Sequence, residues 1–469
     1  MRKKVHVWLA IIFIIAAFCG GKYLRSIQDR PLLIIKGASP QANALLKLAP
    51  EQTPIQVESI KPKPQIGADA EYRNLFSTVL NLCKKHYVEK ITPEKEAKMA
   101  QGAIRAMLDS LDDPDTRFIT PEERKLLNDV EAGIFHGTGA ILALKHEKIG
   151  DLDTTNIVVV APMQGSPADE AGLEPGDAIT EVGGKWVINH DPYMEPEIQK
   201  MRKMVRNKQL DLLSYRKALD EIDARLKKGI TIQDALDKLT TTTSGDLNLE
   251  VERPGKSERI KVKLRCRDTV VDPVVVKELK HGIAYVRIAQ FNKRAEKEFT
   301  AEISKLQARR AKALILDVRN NPGGSLYSAT YIASKLTGGG TVATIQGRNA
   351  KRSIRLPKTR SIGIPVAVLI NHGTSSVAEL FAGTLRDSQI ATLVGTKTFG
   401  DGLVQTPVVL KDGASAIVTT GKMITPGGID FNGHGLNPDI TVENKNRKDD
   451  AQLTAAEKLL VSKIGTPKG

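Results

Sequence analysis

Cysteine is scarce: Cys19, Cys83 and Cys266 are the only three, and none sits in a Cys-x-x-Cys pair or at a Cys/His spacing that suits zinc. Cys19 falls in an apolar stretch, so at most one disulfide can join Cys83 to Cys266, and neither has the basic neighbourhood of an activated thiol. A disulfide scaffold, a thiol enzyme and a metal enzyme are disfavoured, and no cofactor motif appears. Aromatic residues make up only 4%, and no basic run interleaved with stacking residues occurs. The formal net charge of +15 is spread along the chain and is therefore not a nucleic-acid footprint. It serves solubility or attraction to an anionic membrane surface.

Long hydrophobic runs are absent except at the start. Arg2-Lys3-Lys4 precede an apolar run from Val5 to Cys19, the pattern of an export signal. The run falls short of the ~20 residues that span a bilayer comfortably. A cleaved signal and an N-terminal membrane anchor both fit, and the lack of a small-x-small cleavage site favours the anchor. What is present is ordinary for a globular protein, 41% hydrophobic and 26% charged over 469 residues, enough for two or three domains.

Residues 1–21 are assigned to the signal or anchor and residues 22–68, rich in Pro, Lys and Gln, to an extended linker. Residues 69–130 carry helical spacing, with Leu75, Val79, Leu82 and Tyr87, then Met99, Ile104, Met107 and Leu111. Thr120 and Glu123 form a capping box for a helix opening at Pro121. Residues 131–267 turn to β pattern. The run Gly165-Ser166-Pro167-Ala168-Asp169-Glu170-Ala171-Gly172-Leu173-Glu174-Pro175-Gly176-Asp177 resembles a PDZ domain, with Ser166 capping a short helix that stops at Gly172. The resemblance places a carboxylate-binding edge at Gly139, Ala140, Ile141 and Leu142, where a protein's apolar C-terminus would add as a strand.

The next PDZ helix is delayed to Thr231-Ile232-Gln233-Asp234-Ala235-Leu236, leaving an insert at about 191–229. Leu212, Tyr215, Leu219, Ile222 and Leu226 lie on one face of a helix there, and a helix around Ile198, Met201 and Val205 can pair with it. A helical hairpin is expected, its stripe packed on its own partner. A docking or dimer face is the alternative, and a homo-oligomer stays open. Residues 268–445 alternate strands and helices, the sign of an α/β unit with a mixed sheet, and residues 446–469 read as a tail. The fold class is thus α+β multidomain: a helical N-terminal region, a PDZ-like β domain with a helical insert, and an α/β mixed-sheet core.

Two strand-to-loop junctions carry chemistry, Leu316-Asp317-Val318-Arg319-Asn320-Asn321-Pro322-Gly323-Gly324 and Asn371-His372-Gly373-Thr374-Ser375-Ser376-Val377-Ala378-Glu379. A serine at such a junction is exposed beside the free N–H groups of a helix N-terminus, which suits acyl transfer. With Gly395-Thr396-Lys397-Thr398-Phe399-Gly400-Asp401-Gly402-Leu403-Val404-Gln405 and Gly433-His434-Gly435-Leu436-Asn437-Pro438-Asp439, the chain resembles the C-terminal processing peptidases over roughly residues 70–445. The resemblance implies a serine peptidase without cofactor. It makes Ser376 the nucleophile, with Ser375 as its rival, and places an oxyanion hole at the Val377 N–H with that of Gly323 or Gly324. Gln405 would orient the general base.

The family's base is a lysine, and here Asp401 stands in its place. An aspartate with a reference pKa near ~3.9 is a weak base towards a hydroxyl, and its charge repels a developing oxyanion. Lys397, His372 and His434 are the other candidate bases. Two functions follow: an exported peptidase that cleaves proteins after PDZ capture of their C-termini, or a pseudopeptidase that binds peptides or scaffolds partners.

Overall fold

A computed structural model describes residues 68–464 apart from 112, 114, 150–151, 243, 359, 411 and 445–448. The expected signal or anchor and the linker lie outside the described residues. No helix among the described residues is long and apolar enough to cross a membrane.

The chain divides into two compact units, with the boundary in sequence between Phe118 and Ile119. In the smaller, the predicted periodicity gives helices Ala68–His86 and Pro93–Asp109, the second capped by Thr92. The apolar stripe of the first is left in solvent, with Leu75, Val79 and Leu82 each more than half exposed, while Met99 and Ile104 on the second are half-buried. The helix Pro121–Glu131, which the sequence groups with this region, falls in the larger unit. Thr120 and Glu123 close its capping box, the Thr120 N–H donating to Glu123 Oε2 at 2.6 Å and the Glu123 N–H to Thr120 Oγ1 at 3.2 Å.

The PDZ part of the larger unit is built on strands Ala140–Ile149, Leu152–Pro162, Ala178–Val182, Gly245–Glu252 and Ile260–Cys266, all antiparallel to their neighbours. Alternation along Gly245–Glu252 and Ile260–Cys266 puts Leu247, Leu249, Val251, Val262 and Leu264 into one core. That core also takes Ile232, Ala235, Leu236 and Leu239 from the helix Ile232–Thr241. Ser166 caps Pro167–Glu170, and Gly172 follows at φ 87°, a conformation that only glycine adopts freely. The insert forms the two helices Pro196–Arg206 and Leu212–Leu226. Its stripe is covered at one end only: Ile198 and Ile222 are buried, whereas Leu212 is 72% exposed.

The α/β part holds a six-stranded sheet in the order Val274–Glu278, Ile283–Ile288, Ala313–Asp317, Val366–Ile370, Ala391–Gly395, Ile440–Thr441. The first pair is antiparallel and the rest are parallel, so the sheet is mixed. Ala313–Asp317 and Val366–Ile370 are buried at every residue, which is why they read as unbroken apolar runs. Helices Leu326–Thr337 and Val377–Asp387 contribute to the core on one face. The other face is closed by Ala456 and Leu460 of the helix Ala451–Ile464. Residues 446–469 were expected to be a tail, but these two side chains make the described part of it a structural layer.

Candidate active site

Three loops meet outside the carboxyl ends of adjacent parallel strands, the usual place for a site in such a sheet. They follow Ala313–Asp317, Val366–Ile370 and Ala391–Gly395. The first two are laced together by asparagines. Asn371 Oδ1 accepts from the Asn320 N–H at 2.9 Å and the Gly373 N–H at 3.0 Å, and Asn371 Nδ2 donates to Asn320 Oδ1 at 2.7 Å. The Ser375 N–H donates to the Asn321 carbonyl at 2.9 Å, and Thr374 Oγ1 to that of Val318 at 2.8 Å.

Ser376 sits at the start of helix Val377–Asp387 with φ 57° and ψ −126°, a conformation that costs a non-glycine residue about 1–3 kcal/mol. It is 4% exposed. A Cβ on Gly323 would lie 2.9 Å from Ser376 Cβ and 3.3 Å from the Val377 nitrogen, so only glycine lets this loop approach the serine. The Gly323 N–H is committed to Asn321 Oδ1 at 2.8 Å. That corrects the expectation that Gly323 supplies an oxyanion N–H: its hydrogen is already spent in the loop's own turn. Gly324 and Val377 carry N–H groups without a partner among the described residues.

The sequence does not single out Glu379 as a site residue, yet the site is organised around it. Its buried carboxylate accepts from the Ser376 N–H at 3.0 Å, the Gly400 N–H at 2.8 Å, the Asp401 N–H at 2.8 Å and the Thr398 hydroxyl. Ser376 and Asp401 thus hang by their N–H groups on the same oxygen, Glu379 Oε2. In the sequence Glu379 only ends the motif that locates Ser376 three residues earlier, and its Ser-x-x-Glu spacing at a helix start also fits a capping box. Burial pushes the Glu379 carboxyl up to about 7, against four donors that favour the ionised form. The folded chain then holds an extra proton between the ordinary 4.5 and about 7, so stability falls as pH rises through that window. Glu379→Gln cannot titrate. Urea unfolding across the window should show the parent losing stability relative to this variant with rising pH, by up to about 1.4 kcal/mol per unit; parallel curves would refute the assignment.

Asp401 is 9% exposed, and its Oδ1 accepts from the Leu403 N–H at 3.3 Å. Gln405 is buried on strand Leu403–Val409 with its Nε2 unpartnered. No side chain hydrogen-bonds to Ser376 Oγ among the described residues. Lys397 and His434 are exposed. The His372 ring packs 5.9 Å from that of Phe399, and burial, with Lys397 and Lys145 nearby, holds its pKa below the usual value. Ser375 Oγ is buried without a partner.

The PDZ turn at Pro175-Gly176 rests on the serine loop: a Cβ on Gly176 would lie 3.4 Å from the His372 ring, and one on Gly373 2.8 Å from Pro175. Arg253 holds this turn through Asp177 at 2.7 Å and Glu174 at 2.7 Å. The strand Ala140–Ile149 lies at the edge of its sheet, open on one side to strand addition. In the loop before it, the Gly139 N–H donates to the His136 carbonyl and the Ala140 N–H to Thr138 Oγ1, both at 3.3 Å, the long end of the range. Ile141 and Leu142 are buried, so their side chains serve the core and only their backbone faces the edge.

Together these features define a PDZ domain joined to a serine-bearing α/β unit. The profile of Peptidase family S41 matches residues 282–442 and that of the PDZ domain residues 158–201. The carboxyl-terminal-processing protease of Synechocystis sp. is 31% identical over 364 residues, covering 77% of this chain and 75% of that protein. The carboxy-terminal processing protease CtpA of Bacillus subtilis is 29% identical over 77% of this chain but 66% of its own length, just under two thirds. Among solved structures, the photosystem II D1 C-terminal processing protease superposes with a TM-score of 0.57 at 25% identity, covering 83% of this chain and 97% of that one. The chain belongs to the carboxyl-terminal-processing serine proteases of Peptidase family S41.

Proposed function

We propose that this chain is an exported peptidase of the C-terminal-processing type, which captures the apolar C-terminus of a protein at its PDZ edge and presents the polypeptide to Ser376 with slowed turnover. The observation that supports this reading is the shared anchor on Glu379 Oε2, which ties the backbone of Asp401 to that of Ser376. Ser376 is the nucleophile, and the N–H groups of Val377 and Gly324 take the oxyanion of the tetrahedral intermediate. Asp401 receives the serine proton poorly, because a carboxylate is a weak base whose charge opposes the oxyanion. Gln405 orients whatever group stands at position 401. The tail adds as a strand along residues 139–142, and its carboxylate displaces the long bonds of the Gly139 and Ala140 N–H groups.

A second reading is binding without turnover, favoured by the absence of a side-chain partner on Ser376 Oγ among the described residues. Incubation with an unfolded protein ending in apolar residues separates the two. Slow cleavage that disappears when the tail is made acidic, and again in Ser376→Ala, is expected, while Ser376→Ala still binds the tail. Tail binding with no Ser376-dependent product would leave the binding reading.

A further inference from the structure

We propose that the tip of the insert hairpin docks on an anionic lipid surface. The base of the hairpin is fastened to the PDZ domain. Ile198 and Ile222 are buried, Glu195 pairs with Arg225 at 2.6 Å and His190 at 3.0 Å, and Trp186 Nε1 donates to the Arg225 carbonyl at 3.3 Å. Pro196–Arg206 leads away from this base and Leu212–Leu226 returns to it, so the turn between them is the distal end. There Leu212 and Leu213 are 72% and 79% exposed.

These leucines have no structural duty at the helix start. Asp211 caps it, accepting from the Ser214 N–H at 2.8 Å, and the staple positions on either side of that cap belong to the half-buried Leu210 and Tyr215. Around the pair the charge is predominantly positive. Between Ile198 and Leu219 there are seven basic residues and a single acid, Asp211. Lys203, Arg206, Lys208, Arg216 and Lys217 are exposed, and none forms an ion pair among the described residues. Adjacent leucines ringed by long cationic side chains match the boundary between headgroups and acyl chains, where apolar groups enter and ammonium or guanidinium groups meet phosphate. A nucleic acid has no apolar layer to receive the leucines, and a second copy would bring the same positive charge to the contact.

Hydrogen exchange of the full chain, read on the segment 207–217, tests this. On vesicles of phosphatidylcholine with phosphatidylglycerol, exchange there should slow by roughly fivefold or more, recover at high salt, and stay unchanged on pure phosphatidylcholine. Leu212→Glu with Leu213→Glu, substitutions at exposed positions, should abolish the protection while the helix Val377–Asp387 exchanges as in the parent. Because the readout is local, binding of the N-terminal apolar segment to either vesicle does not enter it. Unchanged exchange on anionic vesicles, equal protection on both lipids, protection retained in the double variant, or protection that grows with protein concentration without vesicles would each overturn the proposal.

Discussion

Asp401→Lys is expected to raise the rate of tail-dependent cleavage by about 10²-fold or more, the usual worth of a positioned general base. The expectation rests on what the substitution leaves alone. Glu379 binds the backbone N–H of residue 401, not its side chain, so the loop keeps its anchor whichever residue stands there. Gln405 offers a buried amide with an unpartnered nitrogen, and rotation of that amide presents its oxygen to an ammonium group. Ser376 already holds its strained conformation, and Val377 and Gly324 keep their N–H groups open. The measurement is kcat with an unfolded substrate, with Asp401→Asn as a control for removing charge alone. A gain in Asp401→Asn equal to that in Asp401→Lys would mean that repulsion of the oxyanion, and not the missing base, limits the rate. No gain in either would sink the attenuation argument.

The largest stability effect is expected at Arg319. Asp317 is fully buried and accepts from Tyr285 Oη at 2.7 Å and from Arg319 at 2.6 Å and 3.0 Å. The same guanidinium reaches Asp450 at 2.7 Å and Gln452 at 3.1 Å, tying the start of the helix Ala451–Ile464 to the loop that carries Gly323 and Gly324. Arg319→Ala removes the only cation hydrogen-bonded to this buried carboxylate among the described residues and leaves it the charge of Arg287 alone; breaking a buried pair in this way costs about 3–5 kcal/mol. Burial alone would raise the Asp317 carboxyl, but the Arg319 guanidinium holds it below the ordinary value of 3.8. The contribution is therefore present above the unfolded pKa and is lost as pH falls through the folded one. Urea unfolding near neutrality should show the full loss, with the gap from the parent narrowing in acid. A loss under about 1 kcal/mol would show that water reaches Asp317 once the arginine is gone.

Much of this architecture is legible in the sequence, because strands buried on both faces, capped helices and glycine turns leave local signatures. Ala313–Asp317, the Thr120–Glu123 box and the Ser166 cap are of this kind. The apolar stripes of the N-terminal helices are also legible, but not that the first, with Leu75, Val79 and Leu82, stays in solvent: period reports a face, while covering it depends on what else is near. The same limit explains Leu212. It continues the stripe in sequence and stays exposed in space.

By itself the sequence determines that a PDZ domain precedes a serine-bearing α/β unit, and that an aspartate, Asp401, stands in the Phe-Gly-x-Gly stretch four residues before Gln405. These are properties of residue type and spacing. The tertiary structure alone decides that Glu379 joins Ser376 to a loop more than twenty residues away, that the Gly323 N–H donates to Asn321 Oδ1, and that the last helix is tied to the loop carrying Gly323 and Gly324 through Arg319. Each depends on which donors a buried acceptor meets. A buried carboxylate must be satisfied by whatever the fold brings to it, and no local pattern names those partners in advance.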